Sequence, residues 1–262
     1  MTPLIKFENI YFKREDQNPT GSAKDRSLPL QLKNLLAKNY QSAVISSSGN
    51  AAISAIFYCR KLNIPLKVFL SPQTDPYKLK LILSQHQDVT LTPSPNSLAF
   101  KYAKTNHSYL LRQSTDPVAQ IGYSTIATEI VSKLPLVSSI FIPVGSGTTL
   151  LGVSKNLPQN VKIFAVEPAS RYGQESETIT DALSVKLTPL KSEVAEAIKK
   201  HHGSNIIVRN QAVLDNLKKL HQHQINTSPE GALALTGYYQ AKTKFEVGDY
   251  PVILLTGINR QI

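Results

Sequence analysis

One lysine, Lys24, stands where a turn gives way to a helix, and a lysine in that position could carry covalent chemistry. Residues 18–21 read Asn-Pro-Thr-Gly, in which the proline fixes φ and the glycine can take a positive φ. Leucines follow at helical spacing, and Ser22 is the predicted N-cap, which places Lys24 in the first helical turn. A cation there opposes the helix dipole, whereas an uncharged amine is a nucleophile that forms Schiff bases. An ordinary solvated surface lysine is the open alternative.

A second group of polar residues lies between an apolar strand and a helix of small residues. It consists of Ser47, Ser48, Gly49 and Asn50. Hydroxyl, amide and backbone N–H donors at a helix N-terminus form a good site for an anion such as a carboxylate. Helix capping is the competing interpretation, but it explains one or two of these residues and not all four.

A glycine-rich turn follows a later strand and opens another helix. Its residues are Gly145, Ser146, Gly147, Thr148 and Thr149. Converging N–H groups and hydroxyls are typical of a phosphate cradle. A P-loop would need lysine after Gly152, where Val153 stands, and a dinucleotide fingerprint would need glycine in place of Leu150. Although Glu167 imitates a ribose-binding carboxylate, a single phosphate group fits this turn best.

Thr256 ends the last apolar strand of the chain and is followed by Gly257. A hydroxyl at a strand end could meet a ligand, because ligands in open α/β sheets bind at the carboxyl ends of the strands. Taken alone, the pair is equally well explained as a strand that ends in a turn.

Short apolar runs alternate with helical patterns along the chain, which predicts an α/β fold with mostly parallel sheets and helices on both faces. The predicted strands are 10–13, 43–46, 66–70, 88–92, 109–112, 139–144, 161–166, 206–209 and 252–255. The helix that follows Lys24 is joined by predicted helices at 50–62, 76–85, 96–105, 118–133, 148–155, 211–223 and 229–243. This number of strands is compatible with one sheet or with two.

The amino-acid composition limits the classes of partner that the protein is expected to bind. A net charge of +11 suggests nucleic acid, but aromatic residues make up only 7% of the 262 residues, tryptophan is absent, and no zinc-finger, RNA-recognition or basic-zipper pattern occurs. The charge is spread along the chain, which favours a lysine-rich surface that attracts small anionic substrates. We therefore expect no nucleic-acid partner.

The residue types also predict where in the cell the protein is located and whether it binds a metal. A single cysteine, Cys59, rules out a disulfide within the chain and suits a reducing compartment. We see neither a signal-peptide pattern nor an apolar run of the roughly 20 residues that span a bilayer, so we expect a cytoplasmic protein without a membrane partner. The six histidines lack the spacing of zinc ligands, so no metal site is expected.

Together the segments resemble the pyridoxal-phosphate enzymes of fold type II, and most closely threonine synthase and its relatives. Residues 18–26 resemble that family's Asn-Pro-Thr-Gly-Ser-Phe-Lys-Asp-Arg, and residues 2–4 resemble its Thr-Pro-Leu. The resemblance implies that Lys24 holds pyridoxal 5′-phosphate and acts as the catalytic base. It also implies that Asn50 contacts the 3′-oxygen, that residues 145–149 bind the cofactor phosphate and that Thr256 meets the pyridine nitrogen.

The substrate segments depart from the threonine synthase pattern. Residues 113–119 correspond to Asn-Ser-x-Asn-Pro-x-Arg, but the arginine that meets the substrate phosphate is replaced by Ala119. The residues at 145–149 are also closer to the Gly-Thr-Gly-Gly-Thr of cysteine synthases and dehydratases. Ser47, Ser48, Gly49, Gln113 and Ser114 are the predicted substrate-binding residues.

The resemblance implies a lyase that acts by β- or γ-elimination or replacement, with O-phosphohomoserine as the threonine synthase-like substrate. The alternatives are a serine/threonine dehydratase, a cysteine synthase-type β-replacement enzyme, and a cofactor-binding paralogue without turnover. The substrate is in each case a small amino acid, phosphorylated or not. A small lobe at 35–125, a large lobe at 1–34 and 126–262, and a homodimer are also expected.

Overall fold

The computed structural model describes residues 1–47, 49–74, 76–180, 183 and 188–260, which form an α/β fold. The strands are β1 Leu4–Phe7, β2 Ile10–Arg14, β3 Ala43–Ser46, β4 Leu66–Leu70, β5 Val89–Leu91, β6 Tyr109–Leu110, β7 Ser139–Pro143, β8 Lys162–Pro168, β9 Ser204–Val208 and β10 Pro251–Leu255. The α-helices are α1 Lys24–Ala37, α2 Asn50–Lys61, α3 Pro76–Gln85, α4 Pro95–Thr105, α5 Pro117–Lys133, α6 Thr148–Asn156, α7 Lys191–Lys200, α8 Asn210–Gln222 and α9 Pro229–Ala241. The predicted fold class is confirmed.

The chain divides into two compact units. The first comprises Met1–Ala23 and Tyr123–Arg260, and its six-stranded sheet has the order β1-β2-β10-β7-β8-β9. Only the β1–β2 pair is antiparallel in that sheet. The second unit comprises Lys24–Gly122 and contains the parallel sheet β5-β4-β3-β6.

The predicted strands and helices agree with the observed ones to within two residues at each end. Two elements escaped prediction. β1 is a four-residue edge strand without a fully buried residue, and α7 is a predominantly charged helix whose residues are all at least partly exposed. No helix in the described part of the chain combines the length and apolar character that a membrane crossing requires.

Each unit has its own apolar core. In the first unit, Phe141 of β7 stacks on Phe164 of β8, and α9 lies so close to the sheet that a Cβ on Gly237 would come within 2.4 Å of Val166. In the second unit, the leucines that gave the helical period, among them Leu28 and Leu32 of α1, are fully buried in a cluster that also includes α2. The apolar periods seen in the sequence are thus the core-facing sides of these elements.

A buried polar network ties the first strands to the loop before α1. Lys13 of β2 and Glu15 are fully buried. The Lys13 ammonium donates to the backbone oxygen of Thr2 at 2.8 Å and forms an ion pair with Glu129. Glu15 accepts hydrogen bonds from the Thr2 hydroxyl at 2.5 Å and from the Asn18 amide at 2.7 Å. The network therefore fixes the start of the segment 18–23 that leads to Lys24.

Replacing Lys13 should destabilise the first unit strongly. In Lys13→Met, part-buried Glu129 loses its ion pair and fully buried Glu15 loses the cation 3.8 Å away, and breaking such buried pairs costs about 3–5 kcal/mol. Urea unfolding should show this loss, whereas Lys6→Met, the same change at an exposed lysine of β1, should cost less than about 0.5 kcal/mol. Equal losses in the two variants would contradict a structural role of the buried network.

Cys59 of α2 should be inert towards thiol reagents in the folded protein. Its side chain is buried, and burial raises the pKa of the thiol to about 12, so almost no thiolate forms at neutral pH. Labelling with a coloured disulfide reagent should be slow in buffer and reach one equivalent in denaturant, since the chain has one cysteine. Rapid labelling of the folded protein would contradict this assignment, and Cys59→Ser provides the blank.

Candidate active site

Lys24 is the first residue of α1 and is partly buried. The residues before it are attached to the carboxyl end of β10. Ala23 donates its backbone N–H to the carbonyl oxygen of Thr256 at 2.9 Å, and Ser22 forms an isolated β-bridge with Gly257. Lys24 therefore lies in the first turn as predicted, but Ala23 directly precedes the helix, because the bridge holds the predicted cap Ser22 in an extended pairing.

The turn before Lys24 has the geometry that its residue types predict. Gly21 adopts a φ of 76° and donates its N–H to the carbonyl oxygen of Asn18 at 2.8 Å. A Cβ at this position would lie 2.6 Å from the side chain of Ile258. Glycine is therefore required here both for its positive φ and for space.

Two contacts within the second unit hold the start of α1. The carboxylate of Asp25, next to Lys24, accepts a hydrogen bond of 2.6 Å from the hydroxyl of Ser54 in α2. On α5, a Cβ added to Gly122 would come within 2.1 Å of the carbonyl oxygen of Arg26. Neither contact was predicted, because each joins residues far apart in the sequence.

The segment after β3 offers a helix N-terminus with little side-chain bulk. Asn50 opens α2, Gly49 precedes it, and the Gly49 N–H donates to the hydroxyl of Ser47 at 3.3 Å. Among the described residues, no atom lies within 4 Å of a Cβ built on Gly49, so this glycine leaves open space beside the helix N-terminus. An anion could approach the N–H groups there. Ser48 lies outside the described residues.

The segment that carries Gln113 and Ser114 is held by a polar network at the start of α5. Asp116 caps this helix by accepting the N–H of Val118 at 3.0 Å, and its other oxygen accepts from Gln31 at 2.8 Å and from the Tyr109 hydroxyl at 2.6 Å. Burial, followed by the bond to Asp116, raises the pKa of Tyr109, which keeps this hydroxyl a donor.

The same network reaches the predicted substrate residues. The amide of Gln113 donates to the side-chain oxygen of Gln31 at 3.5 Å, and Gln31 is fully buried. Ala119, which replaces the phosphate-binding arginine of threonine synthases, is also fully buried in the first turn of α5. Gln113 thus contributes a neutral amide to this segment. Ala119 contributes only a methyl group, which is buried in the core.

Residues 145–149 form a compact turn between β7 and α6. Gly147 precedes α6 with a left-handed φ of 89°, and a Cβ there would lie 2.3 Å from Val194 of α7. The hydroxyls of Ser146 and Thr148 lie 3.0 Å apart, and Thr188 donates to the carbonyl oxygen of Ser146 at 2.7 Å. The turn is thus held by contacts with Val194 and Thr188, which lie outside it. The first N–H groups of α6 have no partner within their own helix.

The sheet topology explains which predicted residues come together. β7 and β10 are parallel neighbours, so Gly145 and Thr256 follow strands that end at the same edge of the first sheet. β3 and β6 are parallel neighbours in the second sheet, so Ser47 and Gln113 share an edge in the same way. Their assignment to cofactor and substrate remains a prediction.

Glu167 does not have the surroundings of a ribose-binding carboxylate. It is buried at the end of β8, forms an ion pair of 3.0 Å with Arg171, and accepts hydrogen bonds from Tyr172 and from Asn205. Arg171 was not among the predicted site residues, although its spacing of four residues from Glu167 is a visible signal. The carboxylate is engaged within the protein, which removes the main support for a dinucleotide site.

Curated relatives are serine racemases and threonine dehydratases. The human serine racemase is 30% identical over 210 residues, which are 75% of this chain and 61% of that protein. The biosynthetic L-threonine dehydratase of Bacillus subtilis is 27% identical over 280 residues, which are 97% of this chain and 66% of that enzyme. The matches thus span slightly less than two thirds of these relatives.

Solved structures show the same fold, and a family model matches almost the whole chain. Maize serine racemase superposes with a TM-score of 0.88 at 18% identity over 100% of this chain and 89% of the other. Processed threonine deaminase isoform 2 of Solanum lycopersicum gives a TM-score of 0.85 at 24% identity over 100% and 84%. Residues 1–257 match the family model described as pyridoxal-phosphate dependent enzyme. The chain therefore belongs to the family of pyridoxal-phosphate dependent enzymes of fold type II and uses pyridoxal phosphate as its cofactor.

Proposed function

We propose that this enzyme removes the β-hydroxyl group from a small amino acid such as serine or threonine. The observation that carries the proposal is the substrate segment, in which neutral Gln113 is followed by a fully buried Ala119. A phosphorylated substrate would lack the bidentate arginine partner that gives such recognition its strength. The names of the relatives, serine racemase and threonine dehydratase, support substrates of this size and chemistry.

The residues present fit the cofactor. Gly147 and the start of α6 form a cradle that would hold the phosphate group, together with the hydroxyls of Ser146 and Thr148. Thr256 would meet the pyridine nitrogen, and Asn50 would contact the 3′-oxygen. Thr256 supplies a neutral hydroxyl, in contrast to an aspartate, which favours elimination or replacement over transamination.

The side chains divide the reaction between them. Bound pyridoxal phosphate supplies an electron sink for charge that develops at the substrate Cα. The amine of Lys24 takes the proton from Cα as general base. Ser47 and the N–H groups at the start of α2 hold the substrate carboxylate, because the helix N-terminus favours negative charge. The bond from Cβ to the hydroxyl oxygen then breaks, and the hydroxyl leaves as water with the proton that Lys24 took from Cα. In solution the released enamine tautomerises to the imine, and one water hydrolyses it to a 2-oxo acid and ammonia.

The other candidate activities have less support than removal of the β-hydroxyl group. Threonine synthase activity, the leading expectation from the sequence, loses support because the relatives are serine racemases and threonine dehydratases. Serine racemisation is the second candidate, favoured by four mammalian relatives of that name and beginning with the same proton removal. Cysteine synthase-type replacement and a paralogue without turnover are outcomes that the assays below would reveal.

Lys24→Ala should abolish covalent cofactor binding. The purified full chain, loaded with pyridoxal phosphate and desalted, should keep the absorbance near about 410 nm that lysine-bound cofactor gives. Lys24→Ala should lose this band, whereas Lys33→Ala, at an exposed position of the same helix, should retain it. A band that persists in Lys24→Ala would refute the assignment of Lys24.

Substrate assays should separate the candidate activities. We expect 2-oxo acid formation from L-serine or L-threonine, and at least about a hundredfold lower kcat/KM for O-phosphohomoserine, in line with the loss of a charge-assisted bidentate contact. Chiral chromatography of the serine reaction reports racemisation, and cysteine formation from O-acetylserine and sulfide reports the replacement activity. Preference for O-phosphohomoserine would overturn the proposal, and a loaded enzyme inactive on every substrate would indicate the paralogue without turnover.

The homodimer and the cytoplasmic location also remain predictions. Family members commonly form dimers, and sedimentation velocity on the full chain tests whether this one does. The two-lobe boundaries expected from the sequence differ from the observed units in the position of α1, which groups with the second unit.

A further inference from the structure

The carboxyl end of β8 carries an arginine that contacts the backbone of the neighbouring loop. Arg171 lies on the short 3-10 helix Ala169–Tyr172, directly after β8. Its Nη1 donates hydrogen bonds of 3.0 Å to the carbonyl oxygens of Val144 and Gly145, two successive residues at the entrance of the turn 145–149. One guanidinium therefore holds two consecutive peptide groups.

The guanidinium is itself held in place. Its Nη1 also lies 3.0 Å from Oε1 of Glu167, a buried carboxylate whose Oε2 accepts from the Asn205 amide at 3.1 Å. Tyr172 donates its hydroxyl to the same Oε2. Because Glu167 is anchored by groups other than Arg171, it can fix the guanidinium against the loop.

The contacts determine the direction of two N–H groups. All described peptide bonds are trans, and in a trans peptide the C=O and the N–H of one unit point in opposite directions. The carbonyls of Val144 and Gly145 point at Arg171, so the N–H groups of Gly145 and Ser146 point away from it. Two adjacent N–H groups with a common direction form the beginning of an anion-binding nest.

We propose that Arg171 is a positioning residue for the cofactor phosphate, acting through the peptide groups of Val144 and Gly145. The inference rests on the proposed role of residues 145–149 as the phosphate site. Glu167 neutralises the guanidinium at close range, so direct Coulomb attraction of a phosphate by Arg171 is weak. Peptide orientation is the larger effect, because the single nitrogen Nη1 contacts both carbonyl oxygens and is held by Glu167.

The test compares two ligands that differ only in the phosphate group. The full chain, freed of cofactor, is titrated with pyridoxal phosphate and with pyridoxal, and the dissociation constants are read from absorbance. Arg171→Met should weaken pyridoxal phosphate binding about tenfold or more and leave pyridoxal binding within about twofold, since only the phosphate uses the oriented N–H groups. Arg209→Met, at an exposed arginine after β9, should change neither constant by more than about twofold.

Three results would overturn the inference. They are an unchanged preference for pyridoxal phosphate in Arg171→Met, an equal loss for both ligands, and wild-type affinity in Arg171→Lys, which keeps the charge on a shorter side chain that does not reach both carbonyl oxygens. The lysine variant also gives the answer if the methionine variant does not fold. A wild-type chain that binds both ligands equally would instead refute residues 145–149 as the phosphate site.

Discussion

The buried carboxylate of Glu15 is the contact on which the lysine segment depends. It accepts hydrogen bonds from Thr2 at the beginning of the chain and from Asn18 at the start of the loop, and it lies 3.8 Å from the buried ammonium of Lys13. A charged group without solvent is stable only when such partners surround it. The chain therefore keeps its first residues, its second strand and the approach to Lys24 in one arrangement, which a reactive lysine requires.

Glycine serves the candidate site in three physically different ways. Gly147 has a left-handed backbone that other residues adopt only with strain, and Gly122 allows α5 to approach the carbonyl oxygen of Arg26. Gly49 has neither constraint, since its φ is negative and the space beside it is open. The first two glycines are explained by the protein alone. No packing constraint among the described residues explains the third, whose role in substrate binding remains a prediction.

The motifs of this chain identify its cofactor class better than its substrate. The lysine motif and its order in the chain identify the cofactor class, which the family match confirms. The cofactor is the group that all members share, so motifs predicted to bind it do not distinguish reactions. Ala119 is the informative residue, because it stands at the position where threonine synthases carry the arginine that meets the substrate phosphate.

The sequence by itself determined the α/β class, the bounds of most elements and the positions of the turns that precede Lys24, Asn50 and Thr148. These features depend on side-chain period, glycine and proline, whose effects reach only a few residues along the chain. The tertiary structure decided which groups support those turns. Arg171 contacts Gly145, which lies 26 residues earlier, and Gly122 meets Arg26, because parallel strands and packed helices bring distant residues together. Such contacts carry no local signal, since they depend on strand order and helix packing that no single segment encodes.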